Sequence, residues 1–348
     1  MRIRREPEDD HLHAVEDASS YNESRYYNFS DGRTGNLSDA ASGLGGFVRM
    51  GNRPNEGYAE LTTCFYLPSG QVAFTFKRPE ISSNDAHDAG GLRFDVIEPY
   101  VEHRIRYDGH VLLLDEPEQM EDPKHAFTNN PFVTCSLDLA VKAVGPAWGG
   151  EPEPEDGEEL PEIDPEKSFA KGHTEQHIAS TGTVTIGDER FDVTAALGLR
   201  DHSWGPRFWQ AVYWYRWLTV NLGPDLGIVT TVSGTEDGLR RVHGFLYDRV
   251  RYGDDRTVPV RQVEMSTDYD EGGYHRAVHA TVCTDDHEYA LEGDMWSNIP
   301  LRNRRNGLMT RITEGMTRWS CEGREGAGLA EYLDQIVDGK PVGIAAGG

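Results

Sequence analysis

Residues 191–218 read FDVTAALGLRDHSWGPRFWQAVYWYRWL. An apolar stretch typical of a strand leads into a compact polar run, which Gly205-Pro206 ends before an aromatic stretch begins. Side chains alternate between the two faces of a β-strand. The strand hypothesis therefore predicts two faces for the polar run, one with Asp201 and Ser203 and the other with Arg200, His202 and Trp204.

Four of the seven tryptophans lie within fourteen residues, at 204, 209, 214 and 217. One explanation is an aromatic core in which Asp201 pairs with Arg200 or Arg207, since buried ion pairs occur as purely structural elements. The other is a dry aromatic pocket around one acid. Burial against aromatic rings raises the pKa of a carboxyl group, so that it keeps a proton to donate near neutral pH. The residue types leave both explanations open.

Strand patterns continue on both sides of this stretch. Residues 58–67 and the QVAFTFKRP segment after the PSG turn predict a hairpin, 92–114 predicts two strands joined at Asp108-Gly109, and 132–144 predicts another strand. In the second half, short turns separate further predicted strands, near 176–186, 190–200, 209–222, 226–234, 241–250, 257–267, 275–283, 286–296 and 308–320. A short helix competes with a strand only at 327–339. The pattern predicts an all-β chain with little helix, built as two consecutive antiparallel barrels or sandwiches.

Composition shifts suggest four segments. We predict a polar N-terminal arm, a first β-domain, an acidic linker or loop rich in Pro and Gly, and a second β-domain that carries the polar run. Their predicted bounds are 1–40, 41–145, 146–170 and 171–348.

The chain of 348 residues has a formal net charge of −25. Nucleic acids and anionic membrane surfaces would repel it, so neither is an expected partner. The first residues lack the apolar core of a signal peptide, and no stretch reaches the length of a membrane helix. Four cysteines are scattered singly, without a CxxC pair. These features predict a soluble cytoplasmic protein with reduced thiols.

Asp201-His202-Ser203-Trp204-Gly205 resembles the Asp-His-Asn-Trp-Gly element of the carotenoid 1,2-hydratase and AttH-like family. The wider RDHSWGPR run and residues 312–333 are similar to a bacterial branch known mainly as domains of unknown function. The resemblance implies two lipocalin-like barrels and a hydrophobic, terpenoid or lipid ligand in a barrel mouth. Ser203 stands where the hydratases have Asn. Their downstream Tyr-x-Asp element has no counterpart, because the strand there reads LGIVTTVSG, which leaves Asp201 as the candidate acid.

The family likeness implies a lyase or isomerase that needs no metal or other cofactor: an acid-catalysed hydratase, dehydratase or cyclase. The candidate catalytic residues are Asp201, His202, Trp204 and Tyr215. The candidate substrate-binding residues are Trp209, Tyr213, Trp214, Trp217, Arg200 and Arg207. The alternative is a carrier, in which the same aromatic residues line a storage cavity for an isoprenoid or lipid and no proton moves.

Three further groups of polar residues are candidates: two histidine pairs, Glu175 with Gln176, and Glu314 with Glu331. HTEQH (173–177) and HRAVH (275–279) carry histidines four residues apart, but in strands this spacing is about 13 Å, too far to share one ion. Glu175 and Gln176 either lie beside the barrel mouth or are solvated polar residues, and we expect the second. Glu314 and Glu331 are each either a second acid or base of a shared site, or a surface residue paired with arginine.

Overall fold

The computed structural model describes residues 2–31, 43–155, 164, 168–254 and 256–345. It is almost entirely antiparallel β-structure, which confirms the predicted fold class. The strands are β1 (Arg2–Arg4), β2 (Tyr21–Ser30), β3 (Gly45–Arg53), β4 (Tyr58–Tyr66), β5 (Val72–Lys77), β6 (His87–Ala89), β7 (Leu92–Glu98), β8 (Glu102–Leu114), β9 (Phe132–Ala143), β10 (Trp148–Glu153), β11 (Gly172–Ile186), β12 (Glu189–Pro206), β13 (Trp214–Asn221), β14 (Leu226–Gly234), β15 (Arg240–Asp248), β16 (Val258–Pro259), β17 (Gln262–Tyr269), β18 (His275–Cys283), β19 (Glu288–Arg305), β20 (Leu308–Cys321), β21 (Arg324–Val337) and β22 (Lys340–Pro341). The α-helices are α1 (Pro123–Asn129), α2 (Arg249–Tyr252) and α3 (Val342–Ala345). Among the described residues, no helix has the length and apolar character that crossing a membrane requires.

The first sheet closes into a barrel of eight strands. Its ring runs β11-β12-β2-β3-β4-β5-β8-β9, and β9 completes it by pairing with both β8 and β11. Strands β8 and β9 show why the sequence folds this way. Their inward positions, such as Ile105, Leu137 and Leu139, are apolar and buried, whereas Arg104 and Asp138 face outward and pair with each other. The barrel interior is filled by this core, together with a polar cluster at one end.

The second sheet has the strand order β16-β15-β14-β13-β21-β20-β19-β18-β17. Only residues 260–261 separate its two edge strands, β16 and β17. The amide of Val260 bonds to Gly244, and that of Arg261 bonds to Cys283, so the edges come together. This sheet curls around its own apolar core, which includes Leu218.

A third apolar cluster joins the two sheets. It includes Phe47 and Leu199 from the outer face of the barrel, and Val229, Met316 and Leu329 from the second sheet. Burial of apolar surface on this scale holds the two sheets together as one body. The interface between the sheets is therefore built mainly of apolar side chains.

The sheets divide the chain at a different place from the predicted boundary at 171. Strands β11 and β12 close the first barrel, so the polar run belongs to the first sheet, and the second sheet begins with β13. The physical reason is long-range pairing: β12 bonds along its whole second half to β2, which lies more than 160 residues earlier in the chain. Of the predicted linker (146–170), residues 148–153 form β10, and residues 156–163 and 165–167 lie outside the described residues.

The N-terminal forty residues are also more than an arm. All ten residues of β2 are buried, and a single 3₁₀ turn, Pro7–Asp10, inserts Asp10 into the end of the barrel. Residues 32–42 lie outside the described residues. The alternating aromatic residues of β2, among them Tyr27 and Phe29, are the sequence signal for this strand.

The structure decides two local predictions, the turn at Asp108-Gly109 and the helix or strand at 327–339. Asp108-Gly109 is not a turn, because β8 runs through it. Gly109 is required there by packing, since an added Cβ would lie 2.5 Å from the hydroxyl of Tyr107. The competition at 327–339 is decided for a strand, β21. The predicted hairpin of β4 and β5 and the strand β9 are confirmed, and all four cysteines are free thiols.

Candidate functional site

Strand β12 presents its polar run on two faces, as the alternation predicts. The side chains of Arg200, His202 and Trp204 contact residues of the N-terminal segment at the end of the barrel. Asp201 and Ser203 lie on the outer face, which is turned toward the second sheet. The structure therefore separates Asp201 from His202 and Trp204, and a single site that contains all three is not formed.

The inward residues hold the N-terminal segment in place. The guanidinium of Arg200 donates to Asp10 at 2.7 Å, and Trp204 stacks on His13 with ring centroids 4.0 Å apart. His202 Nε2 lies 2.9 Å from Glu23. Burial and the positive charge of Arg25 lower the pKa of His202 to about 3, so the ring is neutral and donates a hydrogen bond to the carboxylate.

On the outer face, cross-strand pairing builds a polar row across the first sheet. Glu175 on β11 pairs with Asp201 on β12, Asp201 pairs with Tyr26 on β2, and Tyr26 pairs with Arg49 on β3. His173 lies two residues before Glu175, on the same face, and its Nε2 contacts the carboxylate of Asp201. The expectation that Glu175 is solvated is wrong, because only 8% of it is exposed.

The second sheet faces this row with one of its own. Trp217 on β13 pairs with Glu331 on β21, which pairs with Glu314 on β20. Tyr215, two residues before Trp217, donates its hydroxyl to Glu331. Glu314 and Glu331 are both buried, so the surface alternative for these two residues does not hold.

Direct contacts connect the two rows. The indole Nε1 of Trp217 donates to Glu175 at 2.9 Å, and the ring of Tyr26 meets that of Trp217 edge to face at 5.5 Å. The hydroxyl of Tyr66 donates to the backbone oxygen of Glu314 at 2.9 Å. We refer to Glu175, Asp201, Glu314 and Glu331 with these aromatic neighbours as the inter-sheet acid site.

Asp201 is not the carboxyl that keeps a proton. Burial raises its pKa, but the charge and the hydrogen bond of His173, together with the charge of Arg207, outweigh burial and hold the pKa below its usual value. In return Asp201 raises the pKa of His173 to about 9, against the effect of burial. The pair is an ionised His–Asp contact, and the aromatic surroundings do not keep Asp201 neutral.

Three other carboxyl groups have the property that was expected of Asp201. Burial, to which the negative charge of Asp201 adds, raises the pKa of Glu175 to about 7. Burial and the neighbouring charge of Glu331 raise the pKa of Glu314 well above its usual value, and burial raises that of Glu331 as well. Two carboxyl groups side by side cannot both ionise at low cost, so the Glu314–Glu331 pair retains a proton near neutral pH.

The remaining predicted residues fall into two groups. Trp214 lies in the core of the second sheet, and Tyr213 packs against that core, so neither faces the acid site. Arg207 and Trp209 line a cleft of about 180 Å³ at the edge of the interface. Sequence reasoning missed Tyr26 and Arg49, whose place in the row follows from the β12–β2–β3 register and from no local motif.

Two groups of three side chains have metal-ligand types within 4.8 Å of one another in the described part of the chain: His13, Glu23 and His202, and His173, Glu175 and Asp201. Hydrogen bonds account for the first group, because the carboxylate of Glu23 also accepts from Tyr21 and Asn84. The second group is also held by such contacts. His173 and Asp201 form an ionised pair, and Glu175 accepts a hydrogen bond from the indole of Trp217.

The arrangement of two curled antiparallel sheets agrees with solved structures of low sequence identity. The AttH-like protein NE1406 of Nitrosomonas europaea aligns with a TM-score of 0.56 and 12% identity, covering 95% of this chain and 96% of that one. CghA, crystallised with Sch210972, aligns with a TM-score of 0.52 and 13% identity, covering 91% and 89% of the two chains. No curated protein sequence matches the chain significantly.

Fold and site together define the class: a protein with the lipocalin-like fold of these structures, built from two antiparallel sheets with buried acids at the interface between them. More narrowly, residues 6–336 match the family described as Domain of unknown function (DUF7064), and the chain belongs to that family.

Proposed function

We propose that this protein is an acid catalyst that acts on a small organic molecule bound between its two sheets. The observation that carries the proposal is the set of buried carboxyl groups whose pKa is raised, Glu175, Glu314 and Glu331, next to Tyr26 and Trp217. A neutral carboxyl group donates a proton, and the ring faces stabilise the cation that forms.

The proposed chemistry is hydration, dehydration, cyclisation or isomerisation of a terpenoid-like molecule. Glu175 or the Glu314–Glu331 pair protonates a double bond or a leaving hydroxyl group. The hydroxyl of Tyr215, which contacts Glu331, relays that proton by rotating so that its oxygen accepts from Glu331 and its own proton passes to the substrate. Asp201, ionised by its contact with His173, then serves as the base that accepts a proton from the carbocation or from an attacking water molecule. This retains Asp201 and Tyr215 as candidate catalytic residues, with a changed role for Asp201.

Trp217 remains the candidate substrate-binding residue of the acid site. Trp204, His202 and Arg200 do not face that site, and we expect them only to hold the residues before and within β2 in place. AttH-like proteins and CghA share the fold. That CghA was crystallised with the small molecule Sch210972 supports a small-molecule ligand for this fold.

The proposal is tested by incubating the protein with a panel of terpenoid alcohols and dienes. Mass spectrometry detects the gain or loss of one water molecule, and chromatography detects isomers. We expect turnover by the native protein, and a loss of about 10²- to 10⁴-fold in kcat for Glu175→Gln or Glu314→Gln, the usual contribution of a general acid. Glu288→Gln, at an exposed position on β19, is the matched control and should retain full activity.

The pH profile identifies the donor. If Glu175 donates the proton, kcat/KM falls as the pH rises above about 7, where its carboxyl group ionises. If the Glu314–Glu331 pair donates it, the pH at which kcat/KM falls stays the same in Glu175→Gln. Ligand binding, read from tryptophan fluorescence, without any product from the whole panel would instead support the carrier alternative. Equal turnover by all three variants would refute the acid site.

A further inference from the structure

The cleft at the edge of the interface is strongly basic in an acidic protein. The formal net charge of the chain is −25, yet five arginines and only two glutamates line this cleft, which leaves an excess of three positive charges. The arginines come from both sheets: Arg53, Arg78, Arg207, Arg304 and Arg305. A local charge opposite in sign to that of the whole molecule attracts anions to this point of the surface.

The two glutamates of the cleft are already engaged. Glu56 pairs with Arg53 and, at 3.3 Å, with Arg305. Glu60 pairs with Arg78 at 2.9 Å. The cleft therefore holds more guanidinium groups than its own carboxylates can neutralise.

Arg207 is the arginine left over. Among the described residues it has no carboxylate within ion-pair distance, and it donates to the hydroxyl of Ser203. Its guanidinium lies 3.9 Å from the ring centroid of Phe169 and 5.3 Å from that of Trp209. Nearby, the Nε–H of Arg53, a residue that is only 2% exposed, makes no hydrogen bond, and the carboxylate of Glu60 lies 3.6 Å from this nitrogen. A buried cation without a carboxylate at ion-pair distance, and a buried donor without a hydrogen bond, are both stabilised when an anion binds beside them.

An aromatic path leads from this cleft to the inter-sheet acid site. The ring of Phe169 contacts that of Trp209 at 5.3 Å and that of Tyr215 at 6.4 Å. Tyr215 in turn bonds to Glu331. Contacting rings therefore connect the arginines of the cleft with the buried acids.

We infer that the substrate carries an anionic group, a carboxylate or a phosphate, which Arg207 and the neighbouring arginines of the cleft bind while the apolar part extends toward the acid site. This inference rests on the proposed function in so far as the bound molecule is a substrate. The anion site itself does not depend on catalysis. A cleft of about 180 Å³ is smaller than the pockets that enclose whole drug-sized ligands, roughly 300–1,000 Å³. Its size suits a head group.

The test measures binding by calorimetry with decanoate, inorganic pyrophosphate and the uncharged decanol as probes. We expect at least one of the two anions to bind, more weakly as salt is added, and decanol to bind more weakly than decanoate. Arg207→Gln and the exposed Arg304→Gln should each weaken anion binding by about tenfold, since each removes a charge-assisted hydrogen bond. Arg190→Gln, an exposed arginine of β12 paired with Asp192, is the matched control and should bind as the native protein does.

Decanoate binding without pyrophosphate binding identifies a carboxylate substrate, and the reverse identifies a phosphate. The inference is overturned if neither anion binds, or if Arg190→Gln weakens binding as much as Arg304→Gln does. Turnover of neutral terpenols with kcat/KM unchanged in Arg304→Gln and Arg207→Gln would also overturn it, while leaving the acid site intact. Anion binding without turnover of any anionic or neutral terpenoid would contradict the proposed function alone.

Discussion

The substitution Glu175→Gln should make the protein more stable at neutral and alkaline pH, although it alters the candidate site. Burial raises the pKa of Glu175 from 4.5 to about 7, so the folded protein binds this proton more tightly than the unfolded chain does. Stability therefore decreases as the pH rises from about 4.5 to 7. Over this range, ionising the carboxyl group costs more free energy in the buried site of the folded protein than in the unfolded chain, where water surrounds the group.

The magnitude follows from the pKa difference. A difference of about 2.5 pH units, at about 1.4 kcal/mol for each unit, corresponds to a loss of about 3 kcal/mol between pH 4.5 and pH 8. Glutamine has the shape of the neutral carboxyl group and still accepts from the indole of Trp217. It cannot ionise, so Glu175→Gln lacks this loss.

The assay is urea unfolding followed by tryptophan fluorescence, at pH values from 4.5 to 8. The quantity of interest is the stability of Glu175→Gln minus that of the native protein, since the titration of groups that do not interact with Glu175 cancels in this difference. We expect the difference to rise by about 3 kcal/mol in favour of the variant across this range. Glu288→Gln, at its exposed position, should give a difference that stays flat.

A flat difference for Glu175→Gln would refute the reasoning, because it would mean that the carboxyl group of Glu175 is as easily ionised in the folded protein as in the unfolded chain. It would also remove Glu175 as a proton donor near neutral pH. If the stability difference rises but Glu175→Gln turns substrate over as fast as the native protein, Glu175 is a buried acid that does not donate the proton. The donor is then the Glu314–Glu331 pair.

Three further changes test other parts of the structure. Asp10→Ala leaves its buried arginine partners without a counter-charge and should lower the free energy of unfolding by about 3–5 kcal/mol, measured by urea unfolding. Gly172→Ala places a Cβ 2.2 Å from the indole of Trp204; the ring must shift, and we expect a loss of about 1–3 kcal/mol, with a changed near-ultraviolet circular dichroism spectrum. The raised pKa of His173, about 9, means that the stability from its contact with Asp201 is present below pH 6.5 and lost as the pH rises through 9. A melting temperature that falls between about pH 6.5 and pH 9 in the native protein, and less steeply in His173→Gln, would agree with this sign.

Much of the fold was accessible from local pattern. Period-two alternation, turn residues and the lack of a helical period identify the β-class and most strands, because backbone geometry alone sets these signals. The two faces of the polar run at 200–204 follow from the same alternation. Local pattern failed at Asp108-Gly109, where tertiary packing against Tyr107, and no turn, requires the glycine.

Local pattern could not predict which strands belong to the first sheet and which to the second. The pairing of β12 with β2, and of β11 with β9, joins segments that are far apart in sequence. The alternation within a strand shows which of its side chains share a face, but it does not show which other strand pairs with it. The N-terminal segment therefore looked like an arm, although the closure of the barrel depends on it.

The chemistry of the site shows the same limit. Residue types placed a carboxyl group at Asp201 among aromatic residues, and they could not show whether a cation would meet it. The pKa of a buried acid depends on the balance between desolvation and neighbouring charge, and that balance is a property of three-dimensional distances. Folding sets His173 directly against Asp201, whereas at Glu175, Glu314 and Glu331 burial outweighs the neighbouring positive charges. Amino-acid order thus determined the strands and their faces, whereas the packing of one sheet on the other decided which acid keeps its proton.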